Sequence, residues 1–160
     1  MNRRRLLQVT AVLPFARRAW RWAFAPARAA PVFSRVRPGD PAWPSEAMWE
    51  ELNRRVGGRL IKVRSPLDAC VSAAPDANCV QVFKQLKNPY YLGDEPGLTQ
   101  TLGWADAWTS RPSVYAVVAE TAGDVGAAVN FARENNLRLV VKGGGHSYMG
   151  GSNAADSLLV

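Results

Sequence analysis

Residues 140–152 run Val140-Val141-Lys142-Gly143-Gly144-Gly145-His146-Ser147-Tyr148-Met149-Gly150-Gly151-Ser152, so three consecutive glycines lead into the only histidine of the sequence. Glycine tolerates positive φ angles and allows another group to approach its backbone closely. Successive backbone N–H groups in such a turn can form a concave anion site that suits a phosphate or pyrophosphate. The stretch therefore predicts an anion-binding loop, and the alternative is a glycine-rich turn whose histidine only packs or caps.

The residues upstream of this loop carry strand and helix signals in turn. Residues 114–119 form a short, apolar, β-branched run that is typical of a buried strand. Thr121 and Asp124 have the spacing of a capping box, which predicts that a helix begins there. We expect the apolar face of that helix at four residues, namely Val125, Ala128, Val129 and Ala132.

Asn135-Asn136 predict the end of this helix, because asparagine tolerates the left-handed conformation at a C-cap. Residues 137–141 then form a second apolar run, and the order strand–helix–strand predicts a right-handed βαβ unit. The glycine loop follows at the carboxyl end of the second strand, where ligands bind in open α/β sheets. Residues 157–160 begin a third apolar strand, which we expect at an exposed sheet edge prone to aggregation.

The more common nucleotide and catalytic motifs do not fit the loop. A GxGxxG fingerprint follows the first strand of its unit and opens a helix, and a Walker loop ends in Gly-Lys-Ser/Thr. A metal site lacks ligands, since the chain has one histidine and no CxxC pair. A Ser–His couple lacks a third member to orient the histidine. We therefore assign no catalytic and no metal-binding residue.

The run Lys142–Gly150, together with its strand–helix–strand approach, resembles the pyrophosphate loop of FAD-linked oxidases. These enzymes form the vanillyl-alcohol oxidase / p-cresol methylhydroxylase (PCMH) superfamily, and the berberine-bridge-enzyme-like branch shares the Gly-Gly-Gly-His-Ser-Tyr run. The resemblance is strong over residues 112–160, loose over 40–111 and absent over 1–30. It implies an α+β fold, namely the N-terminal part of a PCMH-type FAD-binding domain with a βαβ unit leading into the pyrophosphate loop.

The resemblance also implies roles for individual residues. Backbone amides of the loop would cradle the FAD pyrophosphate, and His146 would be bonded covalently to the flavin 8α carbon. A neutral imidazole nitrogen is a competent nucleophile for such a bond. The second covalent link of this branch comes from a cysteine downstream of the histidine, a position that neither cysteine of this chain matches. The implied cofactor-binding residues are Lys142, Gly143, Gly144, Gly145, His146, Ser147, Tyr148 and Gly150.

The charge of the chain is concentrated at its start. The formal net charge is +7, but residues 1–30 hold seven arginines and no acidic residue, and the remaining residues are balanced. The folded part therefore lacks the basic character of a nucleic-acid-binding domain. Arg3-Arg4-Arg5 before Leu6-Leu7 resembles a twin-arginine export motif, and the apolar run that follows is too short for a stable membrane span. We expect export to the periplasm or medium, the alternatives being a cytoplasmic amphipathic helix or a start codon placed too far upstream.

Residues 31–111 are expected to form an arm, short helices and an ordered loop. Pro31 to Pro44 reads as a linker, and Ser45 is expected to cap a helix ended by Gly57-Gly58. A short strand follows at 59–63 and a helix at 79–87, while residues 88–111 read as a long connection packed by its aromatics. Cys70 and Cys79 are either a disulfide or two buried thiols.

The sequence therefore predicts the front portion of an FAD-dependent oxidoreductase. The resemblance implies hydride transfer to FAD from an alcohol- or sugar-type small-molecule substrate, with the substrate domain expected beyond residue 160 and this chain alone inactive. The alternatives are a non-catalytic phosphate- or nucleotide-binding module and a membrane-surface protein driven by the arginine-rich start.

Overall fold

The computed structural model of the chain describes residues 34–71, 77–99, 111–148 and 150–160. The predicted presequence, residues 1–30, lies outside them, as do Trp104 and Trp108. Ordered along the chain, the elements are α1 (Glu46–Arg55), β1 (Leu60–Lys62), a 3-10 helix (Pro66–Cys70), α2 (Ala77–Gln85), α3 (Pro89–Asp94), β2 (Tyr115–Val117), α4 (Ala122–Glu134), β3 (Arg138–Val140) and β4 (Ser157–Leu159).

The strands of the described residues form a sheet in the order β1-β2-β4-β3. β1 is antiparallel to β2, whereas β2, β4 and β3 run parallel to one another. The unit β2–α4–β3 is therefore the predicted βαβ crossover, with β4 inserted between its two strands. The expectation that β4 lies at an exposed edge is wrong, because β2 and β3 pair with it on both sides and all three of its residues are buried.

Helix α4 begins at the predicted capping box. The Thr121 hydroxyl accepts a hydrogen bond from the Asp124 amide, and the Asp124 carboxylate accepts one from the Thr121 amide. Asn136 beyond its end has φ 51°, as expected for a C-terminal cap. The predicted apolar face is rotated, since the helix buries Asp124, Ala128 and Ala132 and leaves Val125 and Val129 exposed. Asp124 is turned inward because it also binds Arg59, with 2.7 Å between Oδ2 and the guanidinium.

The core lies between the sheet and the helices α1 and α4. Helix α1 buries Trp49 and Leu52, and its exit is built by Gly57 and Gly58, both at positive φ. Ser45 occupies the predicted N-cap position, although its side chain makes no capping hydrogen bond. The buried residues of this cluster are Trp49, Leu52, Val56, Val117, Ala128, Ala132, Leu137 and Leu158.

The segment between β1 and β2 contains more helix than the sequence indicated. Helix α3 begins at Pro89 inside the region expected to be a connection, with the Asn88 side chain accepting from the Tyr90 amide. Tyr90 is exposed rather than packed. The two cysteines form a disulfide that joins the 3-10 helix to α2, with 4.9 Å between their Cα atoms. Of the two alternatives left by the sequence, the structure therefore shows the disulfide.

Candidate functional site

The glycine loop leaves the sheet at the edge where the three parallel strands end. β2, β4 and β3 run in the same direction, so their carboxyl ends meet there, as the sequence predicted. A cleft of about 360 Å³ opens at this edge, lined on the sheet side by residues 116–119 and Leu159, and on the other side by Gly93 and Lys142. The loop thus stands beside an open, largely apolar cleft.

Gly145 is fixed at the centre of the loop by two constraints. Its φ angle is 71°, which disfavours any side chain, and the residue is buried. A Cβ atom at this position would lie 2.9 Å from the Gly93 Cα atom in helix α3 and 3.0 Å from the Lys142 Cε atom. Gly143, in contrast, has open space where a Cβ would lie. The loop therefore packs against α3 through a glycine–glycine contact that the sequence did not reveal.

The backbone N–H groups of residues 143–147 are the most informative feature of the loop. Within the part of the chain that the structure describes, none of them donates a hydrogen bond to another protein group. Residues 143, 144 and 146 are exposed, so their N–H groups are open to water or to a ligand. Such a row is suited to an anion with several oxygens, which is the chemistry of a pyrophosphate.

His146 is exposed, and its ring is held by the loop itself. The Nδ1 atom donates a hydrogen bond to the Gly144 carbonyl. Because a carbonyl oxygen only accepts, the neutral ring carries its proton on Nδ1 in this arrangement, and Nε2 keeps a free lone pair. Ser147 Oγ accepts from the Gly151 amide at 3.1 Å and closes the turn, while Tyr148 is exposed beside it.

Lys142 has a role that the sequence did not predict. Its ammonium donates to three backbone carbonyls, those of Leu92, Glu95 and Leu98, at 3.0, 2.7 and 3.0 Å. An ammonium has three N–H donors, so all of them are used within the protein. The Lys142 backbone amide donates to the Val160 carbonyl at 2.8 Å, so neither kind of N–H group of this residue is left for a cofactor. Burial lowers the pKa of Lys142, and the carboxylates of Glu95 and Asp94 oppose that effect.

Asn153 anchors the other end of the loop, and sequence reasoning missed it. Its carboxamide oxygen accepts from the amide and the hydroxyl of Ser113 at 2.6 and 2.7 Å. Its NH₂ group donates to the Pro96 carbonyl at 2.8 Å. Ser157 completes the cluster, with its Oγ 2.7 Å from Ser113 Oγ. No sequence motif marks these residues, although the polar Ser152-Asn153 pair directly after a glycine loop was a signal that could have been followed.

Comparison with known proteins agrees with this geometry. Residues 113–160 match a protein family described as an FAD binding domain. The FAD-linked oxidoreductase notD' of Aspergillus versicolor is 31% identical over an alignment of 147 positions, which covers 80% of this chain and 24% of that protein. The FAD-linked oxidoreductase easE of Claviceps fusiformis is 28% identical over an alignment of 165 positions, which covers 89% of this chain and 28% of that protein.

Solved structures give the same result for the fold. The VAO-type flavoprotein MtVAO615 from Myceliophthora thermophila superposes with a TM-score of 0.64 and 30% identity, over 78% of this chain and 26% of that one. A second VAO-type flavoprotein of that organism, MtVAO713, superposes with a TM-score of 0.67 and 25% identity, over 79% of this chain and 25% of that one. The chain thus spans about a quarter of the length of the relatives it matches.

The fold and the loop define an FAD-binding domain, of which residues 113–160 form part. The chain is similar in fold to VAO-type flavoproteins over nearly four fifths of its length, as the sequence resemblance implied. In the described residues, no helix is long and apolar enough to cross a membrane. No group of three or more metal-ligating side chains occurs in those residues either.

Proposed function

We propose that the protein is a flavin-dependent oxidoreductase in which the glycine loop binds the FAD pyrophosphate. The row of N–H groups at residues 143–147 carries this proposal, because none of them donates to a protein group among the described residues and all of them follow the end of a strand. Gly145 brings the loop backbone close to α3, and Gly143 has open space where a Cβ would lie. The FAD cofactor would supply the redox chemistry, accepting a hydride from an alcohol- or sugar-type small molecule.

The same proposal gives His146 the role of covalent anchor, as in the berberine-bridge-enzyme-like branch. The exposed ring stands at the end of the row of free amides, and its neutral form keeps one unprotonated nitrogen. A ring nitrogen would bond to the 8α carbon of the flavin, with one hydrogen lost from the methyl group and one from the imidazole. Dioxygen would take up these two hydrogens and two electrons as hydrogen peroxide, which balances the reaction.

A competition experiment tests the loop assignment. In the full-length protein with His146→Ala, FAD can be removed and added back, and its binding measured by flavin fluorescence. We expect ADP to compete with FAD and riboflavin to compete poorly, because riboflavin lacks the pyrophosphate. Equal competition by riboflavin would contradict a pyrophosphate site on the loop. Binding of ADP without any binding of FAD would favour the alternative, a non-catalytic nucleotide-binding module.

Acid denaturation tests the covalent bond. Flavin absorbance should remain with the wild-type polypeptide after precipitation in acid and should be lost in the His146→Ala variant. Tyr90→Phe is the control, since Tyr90 is exposed on α3 and lies outside the loop. Covalent flavin that survives in the His146→Ala variant would show that another residue is the anchor.

We also propose that residues 1–30 direct twin-arginine export. The disulfide between Cys70 and Cys79 supports this, because such bonds persist mainly in oxidising compartments. Replacement of Arg3, Arg4 and Arg5 by lysine should retain the protein inside the cell. Unchanged location of that variant would contradict export by this route.

A further inference from the structure

Both ends of the glycine loop are attached to one short segment, residues 92–98. This segment comprises the end of α3 and the turn after it, and it lies outside the residues that match the FAD-binding family. Lys142 binds three of its carbonyls at the start of the loop, and Asn153 binds a fourth, that of Pro96, after its end. Between the two attachments, Gly145 touches Gly93. The loop is therefore held at its start, centre and end by the same seven-residue segment.

The attachments differ in chemistry, and both are costly to break. The Lys142 ammonium binds the carbonyl of Leu92 in the last turn of α3 and those of Glu95 and Leu98 beyond it, of which the Glu95 carbonyl also accepts from the Leu98 amide. Asn153 is buried, and without its carboxamide the buried Ser113 amide and hydroxyl would lose their acceptor. A buried polar group left without a partner is unfavourable, so each attachment is strongly maintained.

We propose that Lys142 and Asn153 are positioning residues that clamp the glycine loop on residues 92–98 and keep its free N–H groups aligned before the cofactor arrives. The inference rests on the proposed function, in which those N–H groups receive a pyrophosphate. Binding is stronger when the binding segment is ordered in advance, because less conformational entropy is lost on association. The segment 92–98 thus supports the cofactor site through its contacts with the loop.

Hydrogen–deuterium exchange on flavin-free protein tests the clamp. Lys142→Met keeps the length of the side chain and removes all three donors. We expect faster exchange in peptides from residues 92–98 and 142–148, with β2 and β4 still protected. Lys142→Arg keeps the charge and the donors, so it should restore part of the protection. Lys84→Met is the control, because Lys84 is exposed on α2 and lies outside the loop and its supporting segment.

FAD affinity supplies the second measurement, made in the His146→Ala background so that the flavin remains exchangeable. The dissociation constant should rise in Lys142→Met on the order of tenfold or more, the range for loss of hydrogen bonds to a charged group, and stay unchanged in Lys84→Met. If Lys142→Met does not fold, Lys142→Gln takes its place in both measurements. The side-chain amide of glutamine is shorter and neutral, so it can donate to only some of the three carbonyls.

The possible outcomes separate the clamp from the proposed function. Unchanged exchange in the loop of the Lys142 variant, or an equal loss of protection throughout the sheet, would overturn the clamp. Increased exchange confined to the loop and residues 92–98, with weaker FAD binding, would support it. A wild-type protein that binds no FAD would contradict the proposed function, whatever the exchange pattern shows.

Discussion

Replacement of Gly145 by alanine should destabilise the loop by an amount that follows from its geometry. At φ 71° a side chain meets the following carbonyl, which costs roughly 1–2 kcal/mol. The added Cβ would lie 2.9 Å from the Gly93 Cα atom, a backbone atom that can move only with helix α3. Overpacking of this kind adds about 1–3 kcal/mol. The two effects together predict a loss of roughly 2–5 kcal/mol for the folded loop.

Thermal unfolding of the full-length protein measures this loss, with Gly143→Ala as the matched control. Gly143 has open space for a Cβ and no positive φ, so its variant should stay within about 0.5 kcal/mol of the wild type. Gly145→Ala should lower the melting temperature by several degrees and weaken FAD uptake, since the amides would no longer be aligned. Equal melting temperatures and equal FAD uptake in the two variants would refute the reasoning from the glycine–glycine contact.

Three further predictions concern the framework around the loop. Hydrogen bonding from Arg59 holds the pKa of Asp124 at about 2, so the stabilisation from this carboxylate should be present above about pH 4 and vanish as pH falls through 2. Acid unfolding of Asp124→Asn should lack that part of the pH dependence, and identical curves would contradict it. Reduction of the Cys70–Cys79 bond, which closes a loop of sequence separation 9, should cost roughly 2–3 kcal/mol in urea unfolding. A Cys70→Ser/Cys79→Ser variant should show that lower stability and no response to reductant; a continued response would be inconsistent with this bond. Asn153→Ala should lose about 1–3 kcal/mol through the unpaired Ser113 groups, and unchanged stability would show that water replaces the carboxamide.

The sequence predicted the elements that depend on local signals. The capping box at Thr121, the apolar strands and the glycines after helix α1 each determine their own conformation, and the structure has them where expected. The position of β4 could not be predicted, because strand order depends on pairing between distant segments. Its apolar residues fit an interior strand as well as a buried edge, and only the pairing with β2 and β3 decides between them.

The position of the glycine loop was predictable from the sequence, whereas the residues that support it were not. Three glycines after an apolar run predict a turn at the carboxyl end of a strand, and the structure has the loop there. The partners of Lys142 are backbone carbonyls more than forty residues away. Because every residue type has a backbone carbonyl, the sequence does not indicate which of them Lys142 contacts. Gly93 was unremarkable as well, since its contact with Gly145 exists only once α3 has packed against the loop. The inward turn of Asp124 likewise depends on Arg59, a partner 65 residues upstream.

Peptide mapping of the acid-denatured full-length protein tests the central claim, that the glycine loop carries FAD through His146. Proteolysis followed by mass spectrometry should yield a peptide containing residues 143–148 with the mass of the flavin added, and fragmentation should place that mass on His146. An unmodified loop peptide from protein that retains flavin, or a flavin attached to any other residue, would contradict the account.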